Sequence, residues 1–451
     1  MDELQAVKNK LTQYYLDKGY LIAMVIIPDQ VVNNDIVTLE IRESYPQPTS
    51  RNEWLLRKQT VRRRLQTDPQ NYWCKPIANR LRPSLQQATN ELTLQEEETR
   101  PYLFNINLNN HNVPTWGGGF QEELSLVHYD LTNRQDVLNV CYKHQEEKNN
   151  ADYAIEYSIP LFNQKTAVAI GFGRSEAEVT EVPFEQIEIE SEADYWLTSL
   201  RHLFYNANNQ YLIAFLKLQR INQATTLLGQ PFSFPDGGKD GKSTTTTLSI
   251  GHEWMFFKDH VRTISTYSSF NFGLDAFDAT IDGYPDGEYF SSLIAFSWAE
   301  RLRLLNSRLF FYTLGYYTND SLLSLAKFAL GGADTVRGYR ENILVRERAF
   351  LTAIEWQIPV IRWRIPYLSK SPEDGLVYLA PFFDYGWGSD VETPHFTEQI
   401  YSIGLGTYWR PSETIATTLY WGHALNNNIP KPTEHDLQDD GIHFEISLQL
   451  W

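Results

Sequence analysis

Cysteine, positive charge and long apolar runs are all scarce in this chain. Its two cysteines, Cys74 and Cys141, in 451 residues are too few for a disulfide framework and lack metal-ligand spacing. They leave the redox compartment open. Lys and Arg total 39 against 56 Asp and Glu, a net charge of −17, so there is no basic footprint for phosphate and no nucleic-acid partner is expected. The most apolar stretch, residues 21–27, is ended by Pro28, far short of the roughly 20 residues of a membrane-crossing helix. A membrane β-barrel survives that exclusion, because its strands alternate apolar and polar residues and never build a long run. No basic, apolar signal segment follows Met1; for an exported protein the expectation is a fragment or a misplaced start.

Aromatic residues are abundant, with 12 Trp, 26 Tyr and 24 Phe making up 14% of the chain. Trp and Tyr suit membrane–water interfaces, where one end of the ring is dry and the other wet. A large soluble β-protein or a sugar-binding enzyme would share this composition. Charge is uneven along the chain: residues 1–100 carry 14 basic and 13 acidic side chains, and the remainder 25 and 43. That shift places a boundary near Arg100.

The N-terminal part reads as mixed α and β. Leu4, Val7, Leu11 and Tyr14/Tyr15 fall at helical spacing, with Gly19 at the C-cap position. Residues 21–27 and the alternating Val37, Leu39 and Ile41 read as strands, and 54–65 and 77–92 as helices. Arg62, Arg63 and Arg64 read as a solvated helix face. The expected divisions are 1–44, 45–100 and 101–451.

Past Arg100 the helical period gives way to period-two alternation. About sixteen segments of roughly ten residues recur to the C-terminus, the size and even number of an outer-membrane barrel. Among them are 194–205, 210–220, 244–257 and 346–358. The connections sort into two kinds. Short ones such as 130–134, 161–164 and 410–412 alternate with long polar ones such as 175–193, 221–243, 276–287 and 424–440; 359–373 is long for its place. Turns on one rim and loops on the other describe a closed barrel and not a sandwich. The octapeptides Ala154–Leu161 and Ala353–Val360 echo each other, each running into a proline where a strand is expected to stop.

Several chemical signatures fail. Gly237–Ser243 resembles a phosphate loop, but Asp236 stands where its first glycine belongs. His252-Glu253 lacks the second His of a zinc helix. Asp278, Asp282 and Asp286 do not make an EF-hand pattern, and no carboxylate pair is singled out for glycoside hydrolysis. No catalytic residue, metal or cofactor is expected.

One constellation remains. The longest loop, about 319–345, is the eleventh connection and so lies on the long-loop rim; it contains Val336-Arg337-Gly338-Tyr339. The glycine permits a turn that presents a cation and an aromatic side by side. Downstream, alternation puts Phe382 and Asp384 on one strand face and Phe383, Tyr385 and Trp387 on the other. The aromatic face suits lipid, which leaves Asp384 for the lumen.

These residues resemble the two-partner secretion transporters of the hemolysin secretion/activation type (ShlB, FhaC, HecB), over nearly the whole chain. The resemblance implies a 16-stranded antiparallel transmembrane β-barrel, mainly β, preceded by a small α+β polypeptide-transport-associated (POTRA) region. It also implies that the sixth extracellular loop folds back into the pore and that Arg337 pairs with Asp384. Tyr15-x-x-x-Gly19-Tyr20, Ala23, Val25, Pro28 and Gln30 resemble the later half of a first POTRA domain. A signal peptide, a plug helix and the first POTRA strand are missing against that pattern, and 45–100 is short for a second POTRA domain. The expected partners are a large secreted exoprotein with an N-terminal secretion domain and the lipid of the cell outer membrane. The N-terminal region is expected in the periplasm and the protein as a monomer. The alternatives are an outer-membrane-protein insertase of the same superfamily, a soluble carbohydrate-active β-protein, and a passive porin.

Overall fold

The computed structural model describes residues 23–26, 40–43 and 102–450, apart from the segments 114–118, 146–149, 162–164, 180–187, 208, 234–237, 259–260, 372–373 and 427–434. Gly19, Tyr20, Pro28, Gln30, the helices expected at 54–65 and 77–92, and Trp451 lie outside the described residues. In the N-terminal unit, Ala23–Ile26 pairs antiparallel with Glu40–Glu43, Val25 opposite Ile41.

The second unit contains sixteen long strands. They are β1 (Tyr102–Asn109), β2 (Gln121–Tyr129), β3 (Val137–Gln145), β4 (Ala151–Pro160), β5 (Thr166–Glu178), β6 (Ile189–Ala207), β7 (Gln210–Leu227) and β8 (Lys242–Lys258). They continue as β9 (Arg262–Gly273), β10 (Phe290–Arg301), β11 (Arg308–Thr318), β12 (Arg348–Arg362), β13 (Leu376–Ser389), β14 (Thr397–Arg410), β15 (Ile415–Ala424) and β16 (Ile442–Leu450). Each pairs antiparallel with the next, and β16 pairs with β1 from Glu445↔Asn109 to Leu450↔Phe104, closing the barrel. No helix among the described residues is long and apolar enough to cross a membrane.

Strand β10 shows why the sequence alternates as it does. Ser291, Leu293, Ala295, Ser297 and Ala299 point inward and are buried, whereas Phe290, Ile294, Phe296 and Trp298 alternate on the outside. The same parity around the barrel leaves Ile155, Phe172, Leu216, Ile250, Ile354 and Ile403 exposed. So wide an apolar surface is a liability in water and matches hydrocarbon. The buried inner face instead carries Glu123, Lys143, Glu156, Arg201, Lys217 and Gln219.

Three expectations need correction. Residues 189–193 and 221–227, read as loop, belong to β6 and β7, whose ladder runs from Ile189↔Leu227 to Ala207↔Gln210. There Glu190 and Glu192 sit on the outward face and Ser191 on the other, so no apolar alternation marks the strand. It is held by ladder hydrogen bonds. Pro359 also does not end its strand as Pro160 does, because β12 continues to Arg362 across a bulge between Pro359 and Ile361. Pairing with β11 has already stopped at Gln357, so a residue without an N–H costs no bond on that side. Finally, the long loop spans 319–347, and inside it Phe328–Leu330 pairs with Leu344–Arg346 as a small hairpin.

The belt makes a measurable prediction. Ile294→Arg, mid-strand and 56% exposed, is expected to lower unfolding free energy in lipid vesicles by about 2–4 kcal/mol. Leu304→Arg, in the turn after β10, is expected to change it by under about 1 kcal/mol. Equal small effects in denaturant titrations would mean the belt does not meet hydrocarbon.

Candidate functional site

The loop between β11 and β12 folds into the barrel, and its tip is buried on every side. Val336 and Arg337 have no exposed surface, and Tyr339 and Arg340 are nearly as covered. Val336 joins a cluster with Leu330, Leu344, Leu351 and Ile400, part loop and part wall. The loop therefore meets the lumen through apolar packing as well as charge.

Arg337 is held by a fork and a sandwich. Its Nε donates to Asp384 Oδ2 at 2.7 Å and its Nη2 to Asp384 Oδ1 at 2.8 Å, while its backbone N–H donates to Oδ2 at 3.1 Å. Nη1 donates to Glu355 Oε2. The guanidinium carbon lies 3.5 Å from the Phe382 ring centroid and 4.9 Å from that of Tyr420. Planar charge stacked on rings and bidentate to a carboxylate is a geometry that Lys cannot reproduce. Two carboxylates face one cation, and the second is supported by neutral donors. Glu355 Oε1 accepts from Tyr408 Oη at 2.6 Å and Gln357 Nε2 at 3.0 Å, and Tyr408 Oη lies 2.9 Å from Tyr420 Oη.

The backbone at the tip needs glycine. Gly338 has φ +91°, and a Cβ there would lie 2.8 Å from the carbonyl carbon of Gly422 in β15. Two main chains cross at contact distance. On β14, a Cβ at Gly404 would lie 2.3 Å from the Phe382 ring, so a bare position on the neighbouring strand leaves room for the ring to stack on Arg337. Tyr339 stays on the same wall, where its hydroxyl lies 3.0 Å from Tyr401 O on β14 and 3.1 Å from Asn426 O just past β15.

Two more anchors hold the loop. At its base, Glu347 accepts from the backbone N–H of Leu322 at 2.8 Å and of Val391 at 2.6 Å. Beyond the tip, Arg340 Nε and Nη2 donate to the two carboxylate oxygens of Asp439, each at 2.7 Å. Thus Val336, Arg337, Gly338, Tyr339, Phe382 and Asp384 lie together. Sequence reasoning missed Glu355, Arg340, Asp439 and Glu347. Glu355 carried a signal, since alternation with Ala353 and Gln357 assigns it to the inner face; the others are made by loop geometry.

The profile of the "Haemolysin secretion/activation protein ShlB/FhaC/HecB" family matches residues 89–408, more than half of the chain. The chain belongs to this family. It is a two-partner secretion transporter of the outer membrane and not an enzyme. A ShlB-type POTRA profile matches residues 1–44. No curated protein matches. Among solved structures, CdiB from Escherichia coli shares 14% identity at a TM-score of 0.65, with 100% of this chain and 84% of that one covered. CdiB from Acinetobacter baumannii shares 14% at 0.61, covering 78% and 60%. BamA from Haemophilus ducreyi lacking POTRA domains 1–3 shares 12% at 0.53, covering 100% and 94%. At such identities the likeness is one of fold.

The seat predicts non-additive variants. Arg337→Ala leaves two buried carboxylates without their cation, a loss of about 3–5 kcal/mol in comparable sites. It is expected to open the 319–347 loop to limited proteolysis. Asp384→Ala should do the same and the double variant little more; rates that multiply would mean the two side chains act apart. Gly338→Ala, which removes no charge, is expected to open the loop as well.

Proposed function

We propose that this transporter exports one large, unfolded exoprotein through the lumen that the 319–347 loop occupies, and that the Arg337 seat is the contact it displaces. The observation that carries this reading is the composition of the seat. A permanent filling would be cheapest if wholly apolar, because a buried ion pair is repaid poorly for its desolvation. A charged fork is directional when dry, yet an incoming polar chain and its water can solvate both halves.

The POTRA region at residues 1–44 supports the start of the same path. In this reading it works in the periplasm and receives the partner's N-terminal secretion domain. An exposed sheet edge accepts an extended chain through main-chain hydrogen bonds. The apolar belt sits in outer-membrane lipid, and the barrel works as a monomer, since one closed lumen is a sufficient path. Folding of the partner outside the cell draws it forward.

Secretion and assembly are expected to separate. Arg337→Ala should lower export of the cognate exoprotein about tenfold or more, the consequence of losing roughly 1.4 kcal/mol in a positioning step. Its outer-membrane level and heat-modifiable migration should stay those of the wild type. Undiminished export would overturn the role assigned to the seat. Failure of other barrels to assemble when this chain is removed would favour an insertase.

A further inference from the structure

The loop's second anchor reaches the place where the barrel closes. Among the described residues the β16–β1 ladder has six register pairs, Glu445↔Asn109 to Leu450↔Phe104, and the β15–β16 ladder beside it seven, against twelve between β8 and β9 and fourteen between β13 and β14. Few ladder bonds make a weak seam. Asn110 lengthens it with its side chain: Oδ1 accepts from Phe444 N at 2.8 Å and Nδ2 donates to Ile442 O at 2.9 Å.

Asn110 is held in turn from the loop between β15 and β16. Gln438, on the short turn Leu437–Asp440, is 1% exposed. Its Nε2 donates to the carbonyls of Asn110 at 2.7 Å and Asn112 at 2.9 Å, and its Oε1 accepts from the backbone N–H of Glu341 at 2.8 Å. One amide thus spans three segments: the end of β1, the last loop and the 319–347 loop. Beside it Asp439 takes the Arg340 fork, and its other role is to cap the same turn by accepting from Asp436 N at 2.7 Å. Gly441, at the end of that turn, accepts from Gly422 N at 2.8 Å, and Gly422 is the residue that Gly338 crosses.

From this chain of contacts we infer that the 319–347 loop is a structural part of the barrel seam, with Arg340 and Gln438 as positioning residues that couple the loop's seating to closure of β16 on β1. When the loop leaves, Gln438 loses a donor it is buried to receive, and Asp439 loses its cation. An abandoned buried polar group costs more than an ordinary hydrogen bond is worth, so the turn holding Asn110 and Asn112 loosens and the short β16–β1 ladder loses its extension. Coupling of two equilibria is reciprocal, so a strained seam also favours release of the loop. The inference rests on the reading of that loop as displaceable, and it extends that reading by naming what displacement does to the wall.

Hydrogen exchange on the full chain in lipid nanodiscs tests the coupling with no exported partner present. Arg340→Gln and Gln438→Leu are each expected to speed exchange of peptides covering 103–110 and 442–450 by about tenfold or more. Peptides of β8 and β9 should stay at wild-type rates. Arg337→Ala, which frees the loop without touching the last turn, is the second route and should speed the same two peptides. Exchanging the pair, Arg340→Asp with Asp439→Arg, should restore part of the protection that either change alone removes. Wild-type seam exchange in Arg337→Ala, with the loop itself exchanging fast, would overturn the coupling while leaving the plug reading standing. Slow exchange of both loop and seam in Arg337→Ala would instead remove the displaceable loop on which the coupling depends. General speeding over all strands in Arg340→Gln and Gln438→Leu would overturn it too, as mere loss of stability.

Discussion

Backbone amides in hydrocarbon have no water to turn to, and that single constraint shapes the rest of this protein. Each unpaired N–H or C=O would cost several kcal/mol, so sixteen strands must close, β16 on β1. Closure creates an inside. Once there is an inside, alternation assigns every second side chain to it, and polar residues such as Glu123, Lys143 and Lys217 are buried there. An inward Asp384 on β13 and Glu355 on β12 then define a negative spot on the wall. A buried cation offsets two buried carboxylates, and the tip of the 319–347 loop brings one.

The economics of that answer differ from those of an ordinary core. Apolar packing of Val336, Leu330 and Leu344 against Leu351 and Ile400 favours the seated loop without specifying its register, because aliphatic contacts are non-directional. Arg337 supplies the register. A fork on Asp384 and a ring at 3.5 Å tolerate little displacement, so the seat is selective for one geometry even where its net contribution to stability is modest. Gly338 and Gly404 follow from the same requirement: they are gaps in the side-chain surface that let a main chain and a ring come close.

Much of this was legible from residues alone, and what was not fails for physical reasons. Strands inside hydrocarbon announced themselves, because one face must be apolar; β10 is an example. Upper β6 and β7 were invisible because Glu190, Glu192 and their neighbours stand where both faces tolerate polarity, so pairing proceeds without a pattern. Pro359 misled because proline is forbidden only where its N–H is needed, and a strand that has outrun its neighbour does not need it. At the site, Asp384 could be assigned inward by parity, and so could Glu355. The pairing of Arg340 with Asp439 spans 99 residues between two irregular loops, where neither period nor parity says which side chains meet.

The four polar side chains that anchor the loop differ in what their loss would expose, and that difference orders them. At the base, Arg346 meets Glu398 and Asp390 with each partner about a quarter exposed, so water can replace the contact at small cost. Glu347 is more covered, but it accepts from backbone groups whose loop segments join the wall strands directly. Arg337 lies deepest, with both ends of the Asp384 pair fully buried, and its release leaves charges that only entering water or substrate can satisfy. Arg340 is intermediate, its carboxylate partner 15% exposed, and it borders the seam. A chain threading from the short-turn rim would meet the loop from below. The contact hardest to break in dry surroundings is therefore also the one that an arriving hydrated chain would weaken most, so the proposed plug would be secure at rest and yet yield to its cargo.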